Sequence, residues 1–225
     1  MDTAECYRVV RTRMIEFASE LTEEQAATVV PALPAWTVRD AYGHLAGVCT
    51  EVVDRVLVGR ATDEDTARQV ADRADRSLAK VCEEWTERSP EMEELLAGEK
   101  GYRYNLMAFD AWNHEQDVLG ALGLPQYREC PTTPAIAAML TDLFARGWRK
   151  AELKPAVRLA TPTDDAVIGV GEPIATLNTN EFDLIRMLSG RRTLGEMAAM
   201  DWTGDPAEVL DRLHLFTPPA RELGE

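Results

Sequence analysis

The stretch "YNLMAFDAWNHEQDVLGALG", Tyr104 to Gly123, decides how the first half of this chain is read. Its apolar residues recur at helical spacing, and Gly123, with Pro125 just beyond, supplies a C-terminal stop. A helix over residues 102–122 is predicted. Asp110, His114 and Asp117 then fall four and three residues apart on one stripe of that helix, close enough to share a ligand. A carboxylate four residues before an imidazole offers oxygen and nitrogen donors on one face, a pair that suits a divalent metal such as zinc. The bland reading is an exposed Asp–His ion pair, and matches this short are common by chance.

Upstream, "AECYRVVRTRMIEFASEL" and "TVRDAYGHLAGVCTEVVDRVLVG" repeat the helical period, the second of them up to Gly59. That second helix opens at Thr37, with Asp40 three residues on as a variant capping box, which places His44 about two turns in. The chain has only three histidines, His44, His114 and His214, and two of them fall on predicted helices of this half. His44 is the candidate third ligand, leaving coordination positions open for water or substrate as catalytic zinc sites do. Asp117, a turn further on, is positioned to hold the histidine ring or the bundle in place. A long polar helix is expected over residues 62–88, interrupted or restarted at Pro90. Four main helices suggest an antiparallel four-helix bundle, whose interior is a common place to build a metal site.

The pattern changes near Cys130, so two domains are expected, residues 1–128 and 129–225. "TPAIAAMLTDLFARGWRKAEL" reads as a helix, and "PAVRLAT", "AVIGVG" and "PIATLNT" as short strands. "NEFDLIRMLSGRR" is a helix capped by Asn180 and closed by Gly190, and "GDPAEVLDRLHLF" another, with Asp205 as N-cap and Pro206 at the first position. The second half is therefore a small α+β unit and the whole chain α+β.

Charge and cysteine usage narrow the function. With 39 acidic against 24 basic residues the net charge is −15, which repels both a nucleic-acid backbone and an anionic membrane surface. No run of eighteen apolar residues occurs, and the opening lacks the basic and apolar segments of a signal peptide, so a cytoplasmic protein is expected. The four cysteines form no CxxC pair and read as reduced and structural. No G-x-S-x-G elbow or Cys/His arrangement offers a nucleophile. Trp36, Trp112 and Met107 read as core or staple residues, His214 as a packing or surface residue, and Cys49 as lying off the His44 face.

"LPAWTVRDAYGHLAG" (Leu33 to Gly47) and "HEQDVLGALG" (His114 to Gly123) resemble the two signature segments of the mycothiol-dependent maleylpyruvate isomerase family, among the DinB-like metal-binding bundles. The stretch "NTNEFDLIRMLSGRRTLGEMAAMDWTGDPAEVLDRLHLF" resembles the sterol-carrier-like domain that follows the bundle in that family. The resemblance implies metal ligands at His44, Asp110 and His114, with mycothiol, a small-molecule thiol, as co-substrate and an electrophile as substrate. Asp110 stands where the family pattern has glutamate, about one methylene longer; either the helices approach more closely here or the carboxylate's contact with the metal is lost or water-bridged. The implied chemistry is a thiolate that adds to a double bond and leaves after rotation, giving isomerisation, or stays attached, giving a transferase. A non-catalytic binding or regulatory descendant and a metal-dependent hydrolase are the competing readings. Arg191 and Arg192 follow a helix end, where positive charge suits the dipole, and the resemblance adds a role for Arg191 in holding a substrate carboxylate.

Overall fold

Side-chain caps set where most helices of the first unit begin. Asp2 accepts the Glu5 N–H at 2.8 Å to open α1 (Thr3–Ala18), and Thr22 opens the short α2 (Glu23–Ala26). Thr37 and Asp40 form the reciprocal box that starts α3 (Val38–Val53), and Thr62 with Asp65 repeats it for α4 (Asp63–Ala71). Ser77 caps α5 (Leu78–Ala97), a 3-10 turn at Gly101–Arg103 follows, and α6 spans Asn105–Ala121. The computed structural model describes residues 1–57 and 59–224, which divide into two units, Met1–Gln126 and Tyr127–Glu225.

Within the first unit α1 packs on α5 and α6, and α3 on α4, α5 and α6, so α1, α3, α5 and α6 make a four-helix bundle. Trp85 and Trp112 are fully buried, with Trp85 Nε1 donating to Tyr7 Oη at 2.8 Å and the Tyr42 hydroxyl donating to Met14 O at 2.8 Å. The C-terminus of α6 closes as the sequence indicates. Gly123 takes a positive φ of 68°, and the Leu124 N–H reaches Leu119 O at 2.9 Å in a Schellman arrangement.

Three expectations for this unit need correction. The polar segment is two helices that break at residues 72–77, not at Pro90. Pro90 sits inside α5, where it removes a single helical donor, and the buried row Trp85, Ser89, Met92 and Leu96 carries the helix across it. Helix α3 ends at Val53, short of Gly59, because Arg55 adopts a φ of 60° and Val56 N–H bonds Glu51 O at 2.9 Å; Val58 lies outside the described residues. Finally, an antiparallel ribbon of β1 (Val29–Val30) and β2 (Leu33–Thr37) stands where no strand was expected, and β2 runs directly into α3.

The second unit holds α7 (Thr132–Lys150), β3 (Ala156–Ala160), β4 (Asp165–Ile168), β5 (Pro173–Asn178), α8 (Glu181–Leu188), α9 (Leu194–Ala199) and β6 (Trp202–Gly204). Its four strands are ordered β4-β3-β5-β6, with β3 and β5 parallel and the two outer pairings antiparallel. Asn180 caps α8, which packs on α7. The helix expected from Asp205 does not form. Asp205 caps only a turn, through the Ala207 N–H at 3.0 Å, and a 3-10 turn follows at Leu210–Arg212. Burial of Val209 and Leu213, and a bond from Leu215 N–H to Leu188 O at 2.8 Å, draw the segment out of helical continuation. Helix α9 and strand β6 were not anticipated. Among the described residues no helix is long and apolar enough to cross a membrane.

Candidate metal centre

The Thr37 cap fixes the start of α3, and two turns later His44 points into the bundle, 4% exposed. Helix α6 presents Asp110, His114 and Asp117 on the facing stripe, as a spacing of four and then three requires. His44 Nε2 lies 3.1 Å from Asp110 Oδ2, and His114 Nε2 lies 3.4 Å from Asp110 Oδ1. One donor atom from each of these three residues falls within 4.8 Å of the other two. The aspartate side chain reaches both imidazoles. Its carboxylate sits between two imidazoles contributed by two helices.

Each ring is held from its far side. His114 Nδ1 is 3.1 Å from Asp117 Oδ2, whose side chain is fully buried, so the Asp117 carboxylate holds this ring on its Nδ1 side. His44 Nδ1 is 2.8 Å from Oε1 of Gln69, a fully buried residue of α4. Gln69 comes this close because residue 47 is glycine: a Cβ there would lie 2.7 Å from Gln69 Cβ and 2.8 Å from an Arg73 guanidinium nitrogen. Trp36, on β2, covers the two rings, its centroid 5.1 Å from that of His44 and 6.0 Å from that of His114. It is a wall of the site, whereas the sequence placed it as a core or staple residue. With both Nδ1 atoms engaged, two Nε2 atoms and one carboxylate converge, and this donor set fits a divalent metal of zinc type.

Residue 115 anchors α6 on its other side. Glu115 forms a two-pronged ion pair with Arg13 of α1, both contacts 2.8 Å. Burial pushes its carboxyl up to about 7, against the pull of Arg13. Burial alone would raise the Asp110 carboxyl too, but His44 and His114 beside it hold it well below the usual range. Burial alone would lower His114; Asp110, and after it Asp117, instead push it up to about 9. Cys49 is pushed up to about 11 by burial and lies against Tyr7 and Ser89, in keeping with a structural role.

A pH dependence follows for the metal-free protein. A histidine whose folded pKa is raised contributes stability in full below its unfolded value of 6.5 and loses it as pH rises through about 9. Urea unfolding between pH 6.5 and pH 9 should therefore show a falling midpoint, worth on the order of 3 kcal/mol shared between His114 and Asp110. His114→Gln should flatten this part of the profile; an unchanged slope would remove His114 as its source.

Residues 7–119, half of the chain, match the family model described as the mycothiol maleylpyruvate isomerase N-terminal domain. The chain belongs to this family. The crystal structure of the mycothiol-dependent maleylpyruvate isomerase is similar in fold, with a TM-score of 0.55, and that of its histidine-to-alanine variant with 0.56. Each is 12% identical to this chain, and each alignment covers 84% of this chain and 88% of the other. Coverage of that extent carries the likeness in fold past the bundle into the second unit. No curated protein matches the chain in sequence.

Four of the residues singled out in the sequence, His44, Asp110, His114 and Asp117, come together in the first unit. Arg191 belongs to the second, where it is buried with its guanidinium 5.7 Å from the centre of the Phe216 ring. Gln69 and Trp36 were missed as site residues. Trp36 stands in a signature segment, so its position carried a signal; Gln69 is one polar residue in a polar helix and carried none.

Proposed function

We propose that this chain binds one divalent metal through His44, Asp110 and His114, and that it is an enzyme using mycothiol to isomerise a small electrophile or joining mycothiol to one through its sulfur. The observation that carries the reading is the convergence of His44 Nε2, His114 Nε2 and the Asp110 carboxylate while both Nδ1 atoms are engaged elsewhere. Family membership supports the choice of thiol. Bound there, a divalent metal would supply the positive charge that favours the thiolate form of a co-substrate, which is the nucleophilic form.

The chain's own residues supply the rest. His44 and His114 would act as neutral nitrogen donors and Asp110 as the single anionic one, so a divalent ion keeps net positive charge and free positions for an incoming group. Trp36 shields the two rings on one side, and Asp117 keeps His114 turned toward Asp110. Arg191 is the proposed grip on a substrate carboxylate. That Asp110 faces both imidazoles despite its short side chain favours this reading over a non-catalytic descendant.

Mycothiol binding to zinc-loaded protein should release protons near neutral pH, because the sulfur is deprotonated in the site. Calorimetric titration in buffers of different ionisation enthalpy measures that release directly. His114→Ala should remove both the heat of binding and the proton. If the zinc-loaded protein ignores the thiol yet hydrolyses an ester or amide without one, a metal-dependent hydrolase replaces this reading.

A further inference from the structure

A chain of hydrogen bonds leads from the surface of the bundle to His44, and its polarity runs one way. Arg68 Nη2 donates to Glu51 Oε1 at 2.9 Å, and Glu51 Oε2 accepts from Gln69 Nε2 at 2.6 Å. Gln69 Oε1 then faces His44 Nδ1 at 2.8 Å. A guanidinium only donates and stays charged, so the Glu51 carboxylate opposite it only accepts. The amide end of Gln69 facing Glu51 must therefore be its NH2, which leaves the carbonyl oxygen for the histidine. A carbonyl oxygen cannot donate, so His44 Nδ1 carries hydrogen toward Gln69; Nε2 faces the Asp110 carboxylate at 3.1 Å, and in the neutral ring it is the nitrogen left with a lone pair.

We propose that Glu51 and Gln69 are positioning residues that fix the tautomer of His44 so that Nε2 faces the metal site. The relay deepens the proposed metal reading, and its consequence for metal affinity rests on that reading. It also explains why a polar helix that contributes no ligand is fastened against α3. Helix α4 is brought within reach by Gly47, tied through Arg68 and Gln69 to Glu51, and held to α5 by Arg73 and Glu84, whose contacts include one of 3.0 Å. Gln69 is fully buried, and in that setting an amide turned the wrong way would leave donors or acceptors unmatched at both ends. His114 has a different support, the Asp117 carboxylate, so the two rings are fixed by unlike partners.

The test exploits polarity instead of bulk. Gln69→Glu should weaken zinc binding about 10–100-fold, the usual cost of losing a partner behind a metal-binding histidine, because the new carboxylate faces Glu51. Glu51→Gln should weaken it in the same direction by freeing the Gln69 amide to turn. Combining Glu51→Gln with Gln69→Glu restores an acceptor toward His44 and a matched pair behind it, and should recover most of the lost affinity. A merely structural role predicts additive losses in the double variant. Zinc affinity is read by competition with a chromophoric chelator.

Side-chain nitrogen NMR of the metal-free protein at alkaline pH reads the tautomer independently, and three histidines make the spectrum assignable. His44 should carry its hydrogen on Nδ1, and Glu51→Gln should produce a mixture. Hydrogen on Nε2 in the unaltered protein, or a double variant no better than the sum of the singles, overturns the relay. Absence of zinc binding by the unaltered protein overturns the metal reading instead, while the tautomer measurement still decides the relay.

Discussion

Replacing either His44 or His114 by alanine is expected to abolish stoichiometric divalent-metal binding while leaving the helical circular dichroism largely intact. Each substitution removes one of three converging donors, and the remaining two come either from one helix (Asp110 and His114) or from a single pair across helices (His44 and Asp110). Loss of a group that merely orients a ligand costs about 10–100-fold in affinity, so loss of the ligand itself should exceed about 100-fold. The fold should survive, because the bundle is held by Trp85, Trp112 and their neighbours, none of which is altered. Some destabilisation will accompany the change. Asp110, whose side chain is 18% exposed, loses one of its two imidazole partners, and the cost lies toward the lower end of the roughly 1–3 kcal/mol for a buried polar group left short of a partner. His214→Ala is the control and should change nothing. Metal content measured on protein prepared without a metal-binding tag decides the matter, and tight retention in the double His44→Ala, His114→Ala variant would refute the site.

The second large effect concerns stability. Arg13→Met should destabilise the first unit by about 3–5 kcal/mol, the range for removing one partner of a buried ion pair and stranding the other. Arg13 and Glu115 have side chains 15% and 3% exposed and meet through two contacts of 2.8 Å, so solvent screens them little. Most of the loss is the cost of the uncompensated Glu115 carboxylate. Adding Glu115→Leu to Arg13→Met should recover much of it, whereas a mere loss of packing would make the two changes additive. The sign with pH is fixed as well. Glu115 has a folded pKa raised to about 7, so its contribution is full below the unfolded value of 4.5 and is lost as pH rises through about 7. The Arg13→Met penalty should therefore be larger at pH 8 than at pH 5, where the carboxyl takes up a proton and ceases to be a stranded charge. Urea unfolding of parent and variants at the two pH values measures both effects. A penalty below about 1 kcal/mol at pH 8, the scale of an exposed pair, would show that the ion pair does not hold α1 to α6.

What the sequence determined by itself was local or periodic. The Thr37 cap and its Asp40 partner, the Asn180 cap of α8 and the positive-φ stop at Gly123 depend on a few neighbouring residues, and each was legible without the rest of the molecule. The stripe of Asp110, His114 and Asp117 was legible for a similar reason, since helix geometry puts those positions on one face whatever packs against them. His44 joined them through its scarcity and through the resemblance of its segment. Tertiary structure alone decided the rest. The helix expected after Asp205 gave way to turns because burial of Val209 and Leu213 outweighed a weak local preference. Nothing within α4 marks Gln69 as different from the solvated residues beside it; it becomes part of the site only because Gly47 lets that helix press against α3. Trp36 was visible as a residue but not as a wall, because an unforeseen two-stranded ribbon places it over both rings. Hydrogen-bond partners from separate elements are selected by close packing in three dimensions, and no periodicity along the chain encodes which of them will meet.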